Sequence, residues 1–195
     1  MGTICVFCAS SDAIAEHYVE LATEVGTELA RRGHTLVTGG GSVSMMGAVA
    51  RAARAGGGRT IGVIPRAIMA LEIADHDADE LVVVETMRER KGEMDRRSDA
   101  FIALPGGIGT LEELLEVWTA RTLGMHDKPV VVCDPDDAFA PLRAQVAQIV
   151  QRGFARPAID AAITWCRTAP EAVDLAEGSG VTPSPTAREV LEADP

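Results

Sequence analysis

Positive charge is scarce in this sequence of 195 residues. Lysine and arginine together number 18 against 29 aspartates and glutamates, which gives a formal net charge of -11 at pH 7. Proteins that bind nucleic acids generally present a basic stripe or patch, so this balance argues against a broad surface for polyanions. A small phosphorylated ligand requires only local positive potential. We therefore expect a small-molecule partner and no nucleic acid.

Lysine is especially rare, because Lys91 and Lys128 are the only two in the chain. A pyridoxal phosphate enzyme needs a lysine that forms a Schiff base with the cofactor, and it normally has a larger fold. With two candidates at most, the sequence disfavours this chemistry.

The sequence also lacks any apolar run close to the roughly 20 residues that span a bilayer. Its start, Met1-Gly2-Thr3-Ile4, has no basic region of the kind found in secretory signals. We expect a cytoplasmic protein that does not associate with a membrane. A chain of this length with 47% apolar residues can bury one substantial core. We expect one domain over residues 1–177 and a peripheral tail over 178–195, where Ser, Pro, Thr and charged residues dominate.

The chain contains four cysteines, Cys5, Cys8, Cys133 and Cys166. The first two form a C-x-x-C pattern, which is typical of redox pairs and of zinc sites. Here the pattern lies in a predicted strand, where residues three apart point to opposite faces of the sheet. No second pair completes a set of metal ligands. We interpret all four cysteines as small buried hydrophobic residues, and we expect no metal.

Short β-branched runs alternate with longer helical stretches, a pattern that predicts an α/β domain. The predicted strands are Thr3–Ala9, Thr35–Thr38, Thr60–Ile64, Leu81–Val84, Ala100–Leu104, Pro129–Cys133 and Ile163–Cys166. The predicted helices are Ala13–Arg32, Met45–Ala55, Arg88–Ser98, Thr110–Leu123, Asp137–Arg152 and Pro170–Glu177. Right-handed crossovers then give a doubly wound, mainly parallel sheet with helices on both faces, a Rossmann-like fold.

Two glycine-rich turns follow predicted strands, where open parallel sheets bind ligands. They are Gly39–Gly47 after the second strand and Pro105–Thr110 after the fifth. Glycine allows the backbone to approach a ligand closely, and the helix that follows offers free N–H groups to an anion. Either turn could equally serve backbone geometry alone. The spacing of Gly39–Gly47 does not match a dinucleotide-binding motif, and no Walker lysine follows either turn.

Two glutamates, Glu112 and Glu113, lie near the start of the helix after the second glycine turn. Acidic residues are favoured there by the helix dipole alone. Thr110-Leu111-Glu112-Glu113 also matches a capping box, with Thr110 as the N-cap residue and the Glu113 side chain bonded to the Thr110 backbone N–H. The spacing by itself therefore favours a structural role for Glu113.

A highly charged stretch, Met87–Ser98, follows the fourth strand. Such a run usually forms a solvated helix face. If the ends of strands four and five lie together, however, Arg90 and Lys91 open a helix on the ligand side and supply local positive charge.

Taken together, these segments resemble the LOG family, the cytokinin riboside 5'-monophosphate phosphoribohydrolases that are often mislabelled lysine decarboxylases. The family's P-G-G-x-G-T-x-x-E element corresponds to Pro105–Glu113, and its R-K element corresponds to Arg90-Lys91. Asp99–Leu104 and Leu123–Pro129 are also similar to the family. The resemblance covers roughly the first 155 to 165 residues.

The resemblance implies hydrolysis of the bond between an N6-modified adenine and ribose 5-phosphate, without a cofactor, by a homodimer. It implies that Arg90 and Glu113 are the catalytic pair. The residues that match substrate-contact positions are Glu72, Lys91, Gly107, Ile108, Gly109, Thr110, Leu111, Glu112 and Thr119, and those of the loop near the phosphate are Gly40, Gly41, Met46 and Gly47. A carboxylate such as Glu113 can stabilise the positive charge that develops at the anomeric carbon as the base leaves.

Some positions depart from the family pattern: Ala9 and Ser44 stand where glycine is common, Thr38 where tyrosine or tryptophan often occurs, and Arg88 where histidine is frequent. Aromatic residues make up only 4% of the chain, so no platform for stacking a base is obvious. Trp118 and Met94 are candidates for contact with an N6 substituent, or equally ordinary core residues. A carrier that binds a nucleotide or a molybdopterin-type cofactor without hydrolysis remains the alternative.

Overall fold

The computed structural model describes residues 1–69 and 74–178. Glu72 and nearly all of the predicted tail, residues 179–195, lie outside this part of the chain. Within it there are seven strands and six α-helices, together with a 3-10 helix at Pro157–Ala162. The strands are β1 Thr3–Phe7, β2 Thr35–Thr38, β3 Thr60–Pro65, β4 Glu80–Val84, β5 Ala100–Ala103, β6 Val130–Cys133 and β7 Thr164–Cys166. The helices are α1 Glu16–Arg31, α2 Ser44–Ala55, α3 Met87–Arg96, α4 Ile108–Thr122, α5 Ala140–Gln151 and α6 Ala169–Ala176.

All seven strands belong to one sheet with the order β4-β3-β2-β1-β5-β6-β7. Every pair of neighbouring strands is parallel, which confirms the predicted doubly wound sheet. The chain builds the sheet outward from β1 to β4 and then returns to place β5 on the other side of β1. The point where the direction reverses, between β1 and β5, is where such sheets bind ligands.

Helices cover both faces of the sheet and divide the core into two layers. One layer contains side chains of α1, α2 and α6, and the other contains side chains of α3, α4 and α5. Cys8 belongs to the first layer and Cys5 to the second, which confirms that the two thiols lie on opposite faces. All four cysteines are buried and free.

The fourth strand lies at the edge of the sheet, so β3, β2 and β1 separate it from β5. The condition that the ends of strands four and five lie together is therefore not met. The charged stretch still reaches the centre, because the connection from β4 to β5 must cross the sheet and α3 packs against β3 on the way. Among the described residues, no helix combines the length and hydropathy needed to cross a membrane.

Candidate functional site

A cleft opens at the carboxyl ends of β1 and β5, at the reversal of strand order. It receives residues from the loop after β1, from the start of α2, from the segment after β3, and from α3 and α4. Its lining consists of Cys8, Ala9, Ser10, Ser11, Met46, Ile68, Met87, Arg90, Gly107, Gly109, Thr110 and Glu113. Both predicted catalytic residues thus lie in one cleft with the second glycine turn.

The floor of this cleft is the start of α4, which begins at Ile108 after an extended Gly107. Gly107, Ile108 and Gly109 are exposed, and no side chain caps the helix. The first backbone N–H groups of a helix lack partners within it, so this turn presents donors and the positive end of the helix dipole to the cleft. The arrangement suits a phosphate.

The predicted capping box at Thr110 and Glu113 is wrong. Thr110 lies inside the helix as its third residue, because Gly107 takes the N-cap position. Thr110 is buried and packs so closely on the turn that a Cβ on Gly106 would lie 2.1 Å from Thr110 Oγ1. Glu113 is then the sixth residue of the helix, beyond the N3 position that a capping box requires.

Glu113 instead forms an ion pair with Arg90 of α3. Arg90 Nη1 donates to Glu113 Oε1 at 2.9 Å, and each side chain is only 9% exposed. Arg90 Nε donates to the carbonyl oxygen of Val63 in β3 at 3.1 Å. Because these bonds fix Arg90 on two sides, the guanidinium holds the carboxylate at one place in the cleft.

The position of Arg90 follows from how α3 begins. Thr86 Oγ1 accepts from Glu89 N, and the Glu89 carboxylate accepts from the backbone N–H of Glu85, the residue before the N-cap. These two bonds stabilise the start of α3. Arg90 follows one residue after this cap, on the face of the helix that packs against β3.

The first glycine turn contributes little lining to the cleft. Gly40, Gly41 and Gly47 are buried, and Gly41 N donates to Met46 Sδ at 3.1 Å. A Cβ on Gly47 would lie 1.9 Å from the Ser42 carbonyl oxygen. Of the four residues predicted from this turn, Met46 alone is among the cleft-lining residues.

Ser44, which stands where the family commonly has glycine, has φ +51°. This left-handed backbone conformation explains the glycine preference at that position. The Ser44 hydroxyl donates to the Ser11 carbonyl oxygen at 2.6 Å, and the bond ties the loop after β1 to the start of α2.

Lys91, Glu112 and Thr119 lie outside the cleft, on or beside the outer face of α4. Lys91 Nζ forms ion pairs with Glu112 and with Glu116, the latter at 2.6 Å. Thr119 is exposed and lies roughly 18 Å along the helix axis from Gly107. Leu111 packs partly buried against the core. Substrate contact by these residues remains a prediction.

Sequence reasoning missed Ser10, Ser11, Ile68 and Met87 as cleft residues. For Ser10 and Ser11 the only signal was their position after the first predicted strand, where parallel sheets can bind ligands. Ile68 and Met87 had none. Trp118 and Met94, the candidates for contact with an N6 substituent, are 2% and 1% exposed in the core. Trp118 Nε1 donates to the Ile159 carbonyl oxygen, so both residues serve packing.

The thiol in the cleft is a poor nucleophile. Burial, followed by the negative charge of Glu113, raises the pKa of Cys8 well above its ordinary value. Cys8 therefore stays protonated at neutral pH, and the thiolate is the nucleophilic form of cysteine. Among the described residues that line the cleft, Glu113 is the only carboxylate.

Comparison with known proteins gave close relatives in sequence. The family model described as "Possible lysine decarboxylase" matches residues 46–176. The cytokinin riboside 5'-monophosphate phosphoribohydrolase of Mycobacterium tuberculosis is 57% identical over 155 residues, 80% of this chain and 82% of that protein. The enzyme of the same name, LOG3, of Arabidopsis thaliana is 44% identical over 174 residues, 89% of this chain and 81% of that protein.

Solved structures show the same fold at lower sequence identity. The molybdenum cofactor carrier protein of Chlamydomonas reinhardtii has a TM-score of 0.68 at 22% identity, and the match covers 91% of this chain and 96% of that one. A Rippkaea orientalis molybdenum cofactor binding protein matches with a TM-score of 0.68 at 21% identity, over 90% of this chain and 95% of that one. These likenesses establish the fold alone.

Proposed function

Because the chain belongs to the LOG family of cytokinin riboside 5'-monophosphate phosphoribohydrolases, we propose that it hydrolyses the N-glycosidic bond of an adenosine 5'-monophosphate, with N6-modified forms included. The products are the free base and ribose 5-phosphate. The observation that carries the proposed site is the buried Arg90–Glu113 pair beside an uncapped helix start in one cleft.

The 5'-phosphate binds at the start of α4. Gly107, Ile108, Gly109 and Thr110 surround it with backbone N–H groups, which supply local positive potential in a protein with a net charge of -11. From this turn to Glu113 is roughly 6–9 Å along the helix, comparable to the span from phosphorus to the anomeric carbon. A phosphate bound at the turn therefore places the reacting bond near the carboxylate.

Glu113 and Arg90 have different roles in the reaction. As the bond from the anomeric carbon to the base nitrogen breaks, its electron pair leaves with the base and positive charge develops on the sugar. The Glu113 carboxylate stabilises this charge and orients the attacking water. The water oxygen bonds to the anomeric carbon, and its proton is released as the base takes one up. Arg90 acts by fixing the carboxylate through Nη1.

The decarboxylase description of the matching family model does not suit the two lysines of this chain. The carboxylates of Glu112 and Glu116 raise the pKa of Lys91, whereas Schiff-base chemistry needs a neutral amine. Lys128 Nζ donates to the Asp95 carboxylate and carbonyl oxygen and lies 5.5 Å from the centre of the Phe101 ring. The proposed chemical step uses neither lysine as a reacting group and no cofactor.

The proposal is tested by incubating the protein with AMP and with isopentenyladenosine monophosphate and measuring the free base by chromatography. Release of adenine or of the modified base supports the hydrolase. Binding of either nucleotide without release of a base favours the carrier alternative. Comparison of AMP, GMP and prenylated AMP then identifies the preferred base.

We expect the 5'-phosphate to be essential. Charge-assisted hydrogen bonds contribute about 1.5–3 kcal/mol each, so loss of the phosphate should reduce kcat/KM by at least about 100-fold. The measurement compares a nucleoside with its 5'-monophosphate in the same assay. Ribose 5-phosphate should inhibit competitively and ribose should not. Equal turnover of nucleoside and monophosphate would contradict phosphate binding at α4.

We also propose that the protein is a homodimer. Large apolar side chains at both ends of α4 are exposed, with Ile108 at 82% and Met125 at 75%, and association of two chains over this helix would bury them. Sedimentation equilibrium at micromolar concentration should give the mass of two chains. A fully active protein with the mass of one chain would contradict this proposal.

We expect the reaction to take place in the cytoplasm. Four cysteines that are all free and buried are compatible with a reducing compartment.

A further inference from the structure

The first glycine of the Gly39–Gly41 turn lies directly against the catalytic pair. A Cβ built on Gly39 would lie 1.6 Å from Arg90 Nη2 and 2.7 Å from Arg90 Cζ. Real Cβ atoms essentially never approach another heavy atom this closely. The guanidinium of Arg90 therefore occupies the space that any side chain at position 39 would take.

The turn cannot move aside to make room. Gly40 has φ +79°, and its carbonyl oxygen accepts from Asp75 N at 2.9 Å. Asp75 is buried and receives two hydrogen bonds from the guanidinium of Arg54, at 2.7 and 3.1 Å. Gly41 is held through Met46 Sδ. Displacement of the backbone at Gly39 would disturb all of these bonds.

Arg90 cannot move without cost either. Its Nε donates to the Val63 carbonyl oxygen and its Nη1 to Glu113, so withdrawal from Gly39 weakens the bond that positions the carboxylate. Alanine is compatible with the backbone at position 39, because Gly39 is not among the glycines with positive φ. The three nearest atoms that a side chain there would meet all belong to Arg90.

We propose that Gly39 is a positioning residue for catalysis. Because it has no side chain, it leaves a slot beside its backbone, and the Arg90 guanidinium lies in this slot in register with Glu113. This inference rests on the proposed hydrolysis, in which Arg90 fixes Glu113. It assigns Gly39 a role that differs from that of Gly107 and Gly109, whose added Cβ atoms would meet nothing within 4 Å and which lie at the proposed phosphate site.

The first test is a kinetic comparison of Gly39→Ala with the wild-type protein. Because the phosphate site at α4 is untouched, KM for the monophosphate should change by less than about threefold. The kcat should fall by about 100-fold, the scale of loss for a displacement near 1 Å. Gly92→Ala is the matched control: it lies on α3 close to Arg90, its Cβ would meet nothing within 4 Å, and kcat should be unchanged.

A double-mutant cycle of Tm values for Gly39→Ala and Arg90→Ala tests the slot without a measurement of activity. Gly39→Ala should lower Tm by at least about 4 °C in the wild-type background, since the new methyl group competes with the guanidinium. In an Arg90→Ala background the same substitution should shift Tm by less than about 2 °C, because the slot is empty. If Gly39→Ala alone fails to fold, the proposal requires that the double variant folds as well as Arg90→Ala does.

Several results would overturn the inference. Wild-type kcat in Gly39→Ala would do so, and a raised KM with unchanged kcat would show that Gly39 serves binding instead. Equal loss of Tm in both backgrounds, or a double variant that does not fold although Arg90→Ala alone does, would indicate a purely backbone role. Absence of turnover in the wild-type protein would refute the proposed function, while the double-mutant cycle would still test the slot.

Discussion

The Glu113→Gln variant should fold and lose about 1,000-fold or more of kcat. Glutamine has nearly the same shape and its amide oxygen can still accept from Arg90 Nη1, which donates to Glu113 Oε1 in the wild-type protein. It carries no negative charge, however, so it can neither stabilise a positively charged sugar nor take up a proton from water. KM should change little, because the phosphate contacts remain. The measurement is kcat and KM by release of the base.

Glu24→Gln is the control for this substitution, because Glu24 is exposed on α1 and α1 covers the other face of the sheet. It should retain wild-type turnover. Circular dichroism should show the same secondary structure for both variants. A folded Glu113→Gln protein with wild-type kcat would show that the carboxylate takes no part in the reaction.

Arg90→Ala should abolish measurable turnover and also destabilise the protein. Removal of one partner from a buried ion pair typically costs about 3–5 kcal/mol, since the remaining charge is left without compensation. Here Glu113 would lose the hydrogen bond from Arg90 Nη1, and the Val63 carbonyl oxygen would lose the hydrogen bond from Arg90 Nε. The free energy of unfolding should fall accordingly in urea titrations, and kcat should fall by at least about 1,000-fold.

The control for Arg90 is Arg96→Ala on the same helix. The Arg96 side chain is 71% exposed and pairs only at the surface with Glu93, and exposed pairs typically contribute about 0–1 kcal/mol. An Arg90→Ala/Glu113→Gln double variant separates the two roles of Arg90. It should recover part of the lost stability, because the uncompensated charge is gone, and it should stay inactive. Recovery of turnover in the double variant would exclude both residues from catalysis.

The amphipathic and strand patterns were sufficient to predict the sheet and most of the helices. The errors lie at the ends of elements and in connections. At α4 the T-x-x-E spacing predicted Thr110 as the N-cap, whereas the extended Gly107, three residues earlier, takes that position. Local sequence does not distinguish an N-cap at Gly107 from one at Thr110. The observed start depends on how Thr110 packs against Gly106.

The order of the strands in the sheet likewise could not be predicted from local sequence patterns. Hydrophobic runs predict that strands exist, and they carry no information about which strand neighbours which. Strands four and five do not end together, yet Arg90 reaches Glu113, because α3 crosses the sheet to its centre. Ser10, Ser11, Ile68 and Met87 were missed for the same reason, since none has a motif and each reaches the cleft through topology.

The amino-acid sequence by itself determined the fold class, the family resemblance, and the identity of Arg90 and Glu113 as the residues to test. These depend on residue types at fixed spacings, which are readable along the chain. Tertiary structure alone decided that Glu113 faces Arg90 rather than its own helix start, and that Gly39 leaves room for the guanidinium. Both outcomes arise from contacts between residues at least 23 positions apart, for which local spacing contains no signal.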